Sequence, residues 1–228
     1  MKKIGFFLTL LAVILVSISC ENNDNQQQNN TIVAKYSGVL VGSSGSYKLR
    51  FSETNSNATI IFDDKTYVLN SNETLQKGET LTLTDGTVTL KISIDINGKN
   101  PNIEFNIPGH NVTATIAEET SQNLVENYTG QATVVKNEVL NFKSTFNVTL
   151  SDGNKFQAIS KIIVNGGVDE GKVDQYNGTY VKLNGIVLIS YNHNGETITI
   201  ALNEFNNKLV GSQTDPETGL TTVELVKM

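Results

Sequence analysis

Few residues in this 228-residue chain could carry chemistry, and their spacing excludes most of it. There is one cysteine, Cys20, and there are two histidines, His110 and His193. A zinc site takes three or four ligands, so no metal is expected and both histidines read as exposed loop residues. Acids stand in pairs at Asp63-Asp64, Glu118-Glu119 and Asp169-Glu170. Neighbours on a strand point to opposite faces, so none of these pairs makes the facing carboxylates of a glycosidase. They are expected as charge on turns and strand ends. No Gly-x-Ser-x-Gly elbow occurs. The oxygen-rich run Asp95 to Asn102 places Lys99 at a calcium-ligand position and Asn106 where a closing Glu belongs, so a hairpin turn is the better reading. No enzyme activity and no cofactor are expected.

Tyrosines remain as candidate ligand contacts. The chain has seven and no tryptophan, so any flat platform for a sugar ring must be Tyr. Tyr176 and Tyr180 flank Asn177-Gly178, and with Tyr191 they form the candidate binding set. The competing role for each is packing on a strand with the hydroxyl at a rim.

The setting of Cys20 is more specific. Met1-Lys2-Lys3 is followed by an apolar run from Ile4 to Ile18, then Ser19-Cys20 and an abrupt polar turn at Glu21. Such a run has the length of a signal-peptide core and falls short of the roughly 20 residues needed to span a bilayer. Leu15-Val16-Ser17-Ile18-Ser19-Cys20 resembles the lipobox of bacterial lipoproteins, in the looser Bacteroidetes-type form, with Ser17 where Leu is usual. The resemblance implies that residues 1–19 are a cleaved signal peptide and that the Cys20 thiol carries fatty-acyl chains such as palmitate. It also implies export and lipid anchoring at the outer membrane, on the cell surface or the periplasmic face. Glu21 and Asp24 fit the surface-directed tendency of that family. Two acyl chains suffice for stable anchoring. With its only thiol so used, the chain forms no intramolecular disulfide.

Residues 20–31 contain an Asn/Gln-rich run without apolar residues, which is expected to be a disordered tether. The net charge is −6 and the single arginine is Arg50. Bidentate phosphate and base recognition depends on Arg, so nucleic acid is not an expected partner.

Beyond the tether, alternation with period two dominates. Thr87 to Ile96 places Val88, Leu90, Ile92, Ile94 and Ile96 on one face, and Thr197 to Leu202 alternates likewise. Ile186 to Ile189 is apolar on both faces and reads as a central strand. Asp85-Gly86, Asn97-Gly98, Asp152-Gly153, Asn165-Gly166, Asn177-Gly178, Asn184-Gly185 and Asn194-Gly195 are hairpin-turn dipeptides, and Asp215 to Gly219 suits a longer loop. At most Thr120 to Glu126 makes a helical turn or two.

A duplication is suggested by Tyr36-Ser37-Gly38 and Tyr128-Thr129-Gly130, by Asp64 to Tyr67 with Asp152 to Phe156, and by Asn97-Gly98 with Asn194-Gly195. The expected fold is all-β, an antiparallel meander in two similar halves, residues 32–120 and 121–228, separate or packed as one domain. The Tyr-x-Gly opening before a meander resembles calycin-type (lipocalin-like) barrels. The expected role is a non-enzymatic barrel that meets the membrane through Cys20 and binds a small apolar ligand, a glycan or a protein partner. The alternative is a structural, adhesive or glycan-binding surface β module.

Overall fold

In a computed structural model the chain is described over residues 30–41, 45–122, 124–164, 169–215 and 219–228. The expectations placed on residues 1–29, Cys20 among them, and on Asn165-Gly166 lie outside these. The described residues form sixteen strands and no helix. The first eight are β1 (Ala34–Leu40), β2 (Gly45–Phe51), β3 (Ser56–Phe62), β4 (Lys65–Ser71), β5 (Thr80–Thr84), β6 (Thr89–Ser93), β7 (Asn102–Asn106) and β8 (Ala117–Glu119). The second eight are β9 (Glu126–Lys136), β10 (Val139–Ser151), β11 (Lys155–Val164), β12 (Val173–Leu183), β13 (Ile186–His193), β14 (Glu196–Phe205), β15 (Lys208–Asp215) and β16 (Gly219–Lys227).

Strands β9 to β16 form a closed antiparallel barrel of calycin-like size, each strand pairing with the next and β16 returning to β9. The first eight follow the same cyclic order with two breaks. They give a five-stranded sheet, β4-β3-β2-β1-β8, and a three-stranded sheet, β5-β6-β7. The last strand again returns to the first, since β8 pairs with β1. The breaks, between β4 and β5 and between β7 and β8, flank the shortest strands. Both sheets share one core built on Tyr47, Phe51, Phe62, Leu83, Leu90 and Ile92.

The repeated tripeptides occupy equivalent places. Tyr36 and Tyr128 are both buried, on the first strand of their halves. A Cβ on Gly38 would lie 2.2 Å from the Thr115 carbonyl oxygen, just before β8, and one on Gly130 would lie 2.0 Å from that of Glu224 on β16. In both halves glycine thus lets the closing strand approach the opening one. The other two sequence matches shift by one element, because the Asp63-Asp64 turn joins β3 to β4 whereas Asp152-Gly153 joins β10 to β11. Two-residue turns join β3 to β4, β9 to β10, β12 to β13, β13 to β14 and β14 to β15 alike, so they do not identify which hairpin they serve.

Asn184-Gly185 and Asn194-Gly195 take positive φ at both residues, as a type I′ turn requires. So do Asp63-Asp64, Asn137-Glu138 and Asn206-Asn207, three turns that lack glycine. Asn177-Gly178 is no turn: it lies inside β12, where Gly178 pairs with Phe156 and Tyr191. The long alternating run also ends early. Val88, Leu90, Ile92 and Ile94 are buried, but Ile96 is 74% exposed. The Asp95 carboxylate accepts the N–H groups of Asn97 (2.9 Å) and Lys99 (2.7 Å), starting the turn one residue sooner. Ile186 and Leu188, expected in a central strand, face outward from the barrel and are exposed.

A buried polar chain joins the halves. Its hydroxyls have one proton each, which fixes the direction of donation. The Val39 N–H donates to Thr115 Oγ1 (2.9 Å), Thr115 to Thr149 Oγ1 (2.6 Å), and Thr149 to Asn127 Oδ1 (2.8 Å). Asn127 Nδ2 donates in turn to Ser37 Oγ. Ser37 and Val39 share one fully buried face of β1, with Val41 buried just past its end, and Tyr36 and Leu40 enter the first core from the other.

Candidate functional site

The two ends of the barrel differ in chemistry. At one end the turns after β10, β12 and β14 gather near the start of β9, and inward-facing charges fill the opening. Lys182 Nζ bonds Glu126 and also Glu204 Oε1 (3.0 Å), and Lys227 Nζ bonds Glu126 Oε1 (2.6 Å). The Tyr128 hydroxyl lies 3.0 Å from Glu204 Oε1, and Lys227 stands 5.8 Å from the centre of the Tyr128 ring. Burial by itself would raise the Glu126 carboxyl, but hydrogen bonds from Lys182 and Lys227 hold it below the usual range. The same contacts lift Lys182 above the ordinary lysine value, against its burial. This end is a charged plug. Above it, Val148, Leu150, Val187, Ile189, Leu202 and Leu209 are wholly buried, so the middle of the barrel is filled.

The other end is aromatic and open. Tyr176 and Tyr191 lie with ring centroids 4.9 Å apart, Phe156 is 5.9 Å from Tyr191, and His193 is 5.7 Å from Tyr176. Alternation along β11, β12 and β13 turns these side chains inward together with Val187 and Ile189. Burial pushes the Tyr191 hydroxyl up to about 12, with Tyr176 adding to the shift. Burial also raises Tyr176, outweighing its hydrogen bond with Ser160. Both phenols are therefore neutral donors at physiological pH.

Tyr180 does not join them. Its N–H donates to the Asn154 carbonyl in the β10–β11 turn, and its ionisation feels burial first and then Glu126 of the plug. The Tyr176 and Tyr191 rings are inclined by 56° and pack against the barrel core, so they do not make one flat outward platform.

The wall beside Tyr191 is incomplete. Strand β14 pairs with β13 from Ile186↔Asn203 to His193↔Glu196, and β15 pairs with β16 from Lys208↔Val226 to Asp215↔Gly219. Between β14 and β15 only Asn203↔Val210, Glu204↔Leu209 and Phe205↔Lys208 are paired. Beyond these the strands part around a cavity of about 520 Å³ lined by Tyr191, Ile198, Ile200, Gln213, Thr221 and Val223. Gly211 marks the base, where a Cβ would lie 2.4 Å from the Ala201 carbonyl oxygen. A larger hollow of about 760 Å³ is lined by Thr129, Gln131, Thr145 and Lys161, which point away from the interior, so it is a surface groove.

The alternation of Thr197 to Leu202 already marks Ile198 and Ile200 as inward. Thr221, Gly211 and the opening itself carry no local signal, because they depend on which two strands fail to zip. His110 lies on the first half, 3.8 Å from Asp63 and edge-on to Phe62. Among the described residues, no group of three or more His, Cys, Asp or Glu is placed to hold a metal ion. No known family model, curated protein or solved structure matches this chain.

Proposed function

We propose that this chain is an exported lipoprotein, anchored to a membrane through lipid on Cys20, whose second β unit binds a small apolar ligand without catalysis. The observation that carries the reading is the cavity in the β14–β15 seam, open to the outside and lined inside by Ile198, Ile200, Val223 and Tyr191. Its volume falls in the range of small-molecule sites, which are largely apolar with a few polar groups to orient the ligand. Here Gln213, Thr221 and the neutral Tyr191 hydroxyl supply those groups. The lipobox-like segment and a barrel of calycin-like size add to the same reading.

The apolar dye N-phenylnaphthylamine tests it. Saturable fluorescence enhancement at one site per chain is expected. Thr221 shares the inward face of β16 with Val223 and Leu225, so Thr221→Phe puts a ring into the cavity. This variant should melt where the unaltered protein does and bind the dye at least about tenfold more weakly, a loss near 1.4 kcal/mol. Unchanged dye binding by Thr221→Phe would overturn the assignment.

A further inference from the structure

We propose that the open β14–β15 seam takes an extended peptide as an added strand, with apolar residues at alternate positions. The inference rests on the reading that this end of the barrel is a binding site, and names the ligand class.

Main-chain direction carries it. The Glu204 N–H donates to the Gly185 carbonyl at 2.7 Å, which turns the even-numbered residues of β14 towards β13. Main-chain groups alternate sides along a strand, so those of Thr197, Thr199 and Ala201 face the seam. Asn203 pairs with Val210, so Ser212 and Thr214 of β15 face it from the other side. Among the described residues, no strand pairs with either edge there. Facing rows of such donors and acceptors are a template for another strand.

The side chains agree. Ile198 and Ile200 line the inner side of the seam, and exposed Thr199 and Ser212 stand on the outer side. A strand lying between them meets apolar groups on one face and hydroxyls on the other. Thr197 to Ile200 offers roughly 14 Å of edge at about 3.4 Å per residue, room for about four residues, since Gly211 already lies against the Ala201 carbonyl. A long acyl chain fits less well, because Ile189, Leu202 and Leu209 fill the barrel directly below.

The test uses the full chain and a fluorophore-labelled, end-blocked peptide Thr-Val-Thr-Val-Thr, followed by fluorescence anisotropy. Saturable binding is expected. An analogue N-methylated at its threonines keeps the side chains but loses the donors of one edge, and should bind at least about tenfold more weakly. Thr199→Pro removes a donor facing the seam and leaves the β13 ladder intact, as proline on an edge allows. It should weaken the peptide similarly. If Thr199→Pro fails to fold, judged by its thermal melt, the methylated analogue decides alone. Dye binding without peptide binding, or equal affinity for both peptides, overturns the strand partner and spares the apolar site. Failure of dye and peptide together overturns both. A dimer that Thr199→Pro dissociates would put a second copy in the seam and also overturn the peptide.

Discussion

A side chain at position 178 would put its Cβ 2.0 Å from the Ser190 carbonyl oxygen and 3.0 Å from the Tyr191 Cα. Both neighbours are main chain on β13, which cannot swing aside, so the wall must shift to admit even a methyl group. Gly178→Ala should cost about 1–3 kcal/mol, the usual range for overpacking. It would be read as a lower urea midpoint with an unchanged m-value. An unchanged midpoint would mean that β12 and β13 are not so close. The asparagine before this glycine made it look like a turn, because Asn-Gly is the strongest short hairpin signal. What places it mid-strand is the approach of β13, which local sequence does not record. Tyr176 and Tyr191 were candidates as stacking platforms in a chain without tryptophan, but their rings are inclined by 56° and pack against the barrel core. That Tyr180 faces the plug instead follows from its place four residues along β12, nearer the β12–β13 turn.

Among elements, alternation and turn chemistry reveal the strands and leave their partners open. Asp63-Asp64, Asn137-Glu138 and Asn206-Asn207 make glycine-free turns because Asp and Asn tolerate positive φ and the flanking ladders hold Glu138 there. The plug was invisible in sequence for a related reason. Glu126, Lys182, Glu204 and Lys227 come from four strands, and only closure of the ring brings them together. Its response to pH follows from the shift at Glu126. A carboxyl held low in the fold contributes stability above its unfolded pKa, near 4.3, and loses it as pH falls through the lower folded value. Thermal melts from pH 7 down to about pH 3 should therefore show an acid-dependent loss that is smaller in Glu126→Gln. The same acid slope in both proteins would remove Glu126 from the account.

For the whole molecule, the similarity of the halves was partly legible. Tyr-x-Gly marks the opening strand of each, because a buried tyrosine and a close-approach glycine recur where the meander returns upon itself. Closure was not legible. Strands of five residues or fewer in β5 to β8 leave the first half as two sheets, whereas strands of eight to thirteen residues carry the second around a full ring. The proposed anchor belongs to this scale. Cys20→Ser should release the protein from membranes into the soluble fraction on cell fractionation, with the thermal melt of the folded region unchanged. Continued membrane partitioning of that variant would refute lipidation as its anchor.

The pairing of β9 with β16 also sets a timetable for folding. Thr133 and Thr222, whose hydroxyls meet across that seam, are 89 residues apart in sequence. Six intervening strands must be synthesised before the first and last can join, and such non-local pairing slows folding. Until then both β9 and the growing edge are bare, the condition in which β chains aggregate. Closure of the second half thus waits for β16, and a chain cut before it leaves one edge of β9 unpaired.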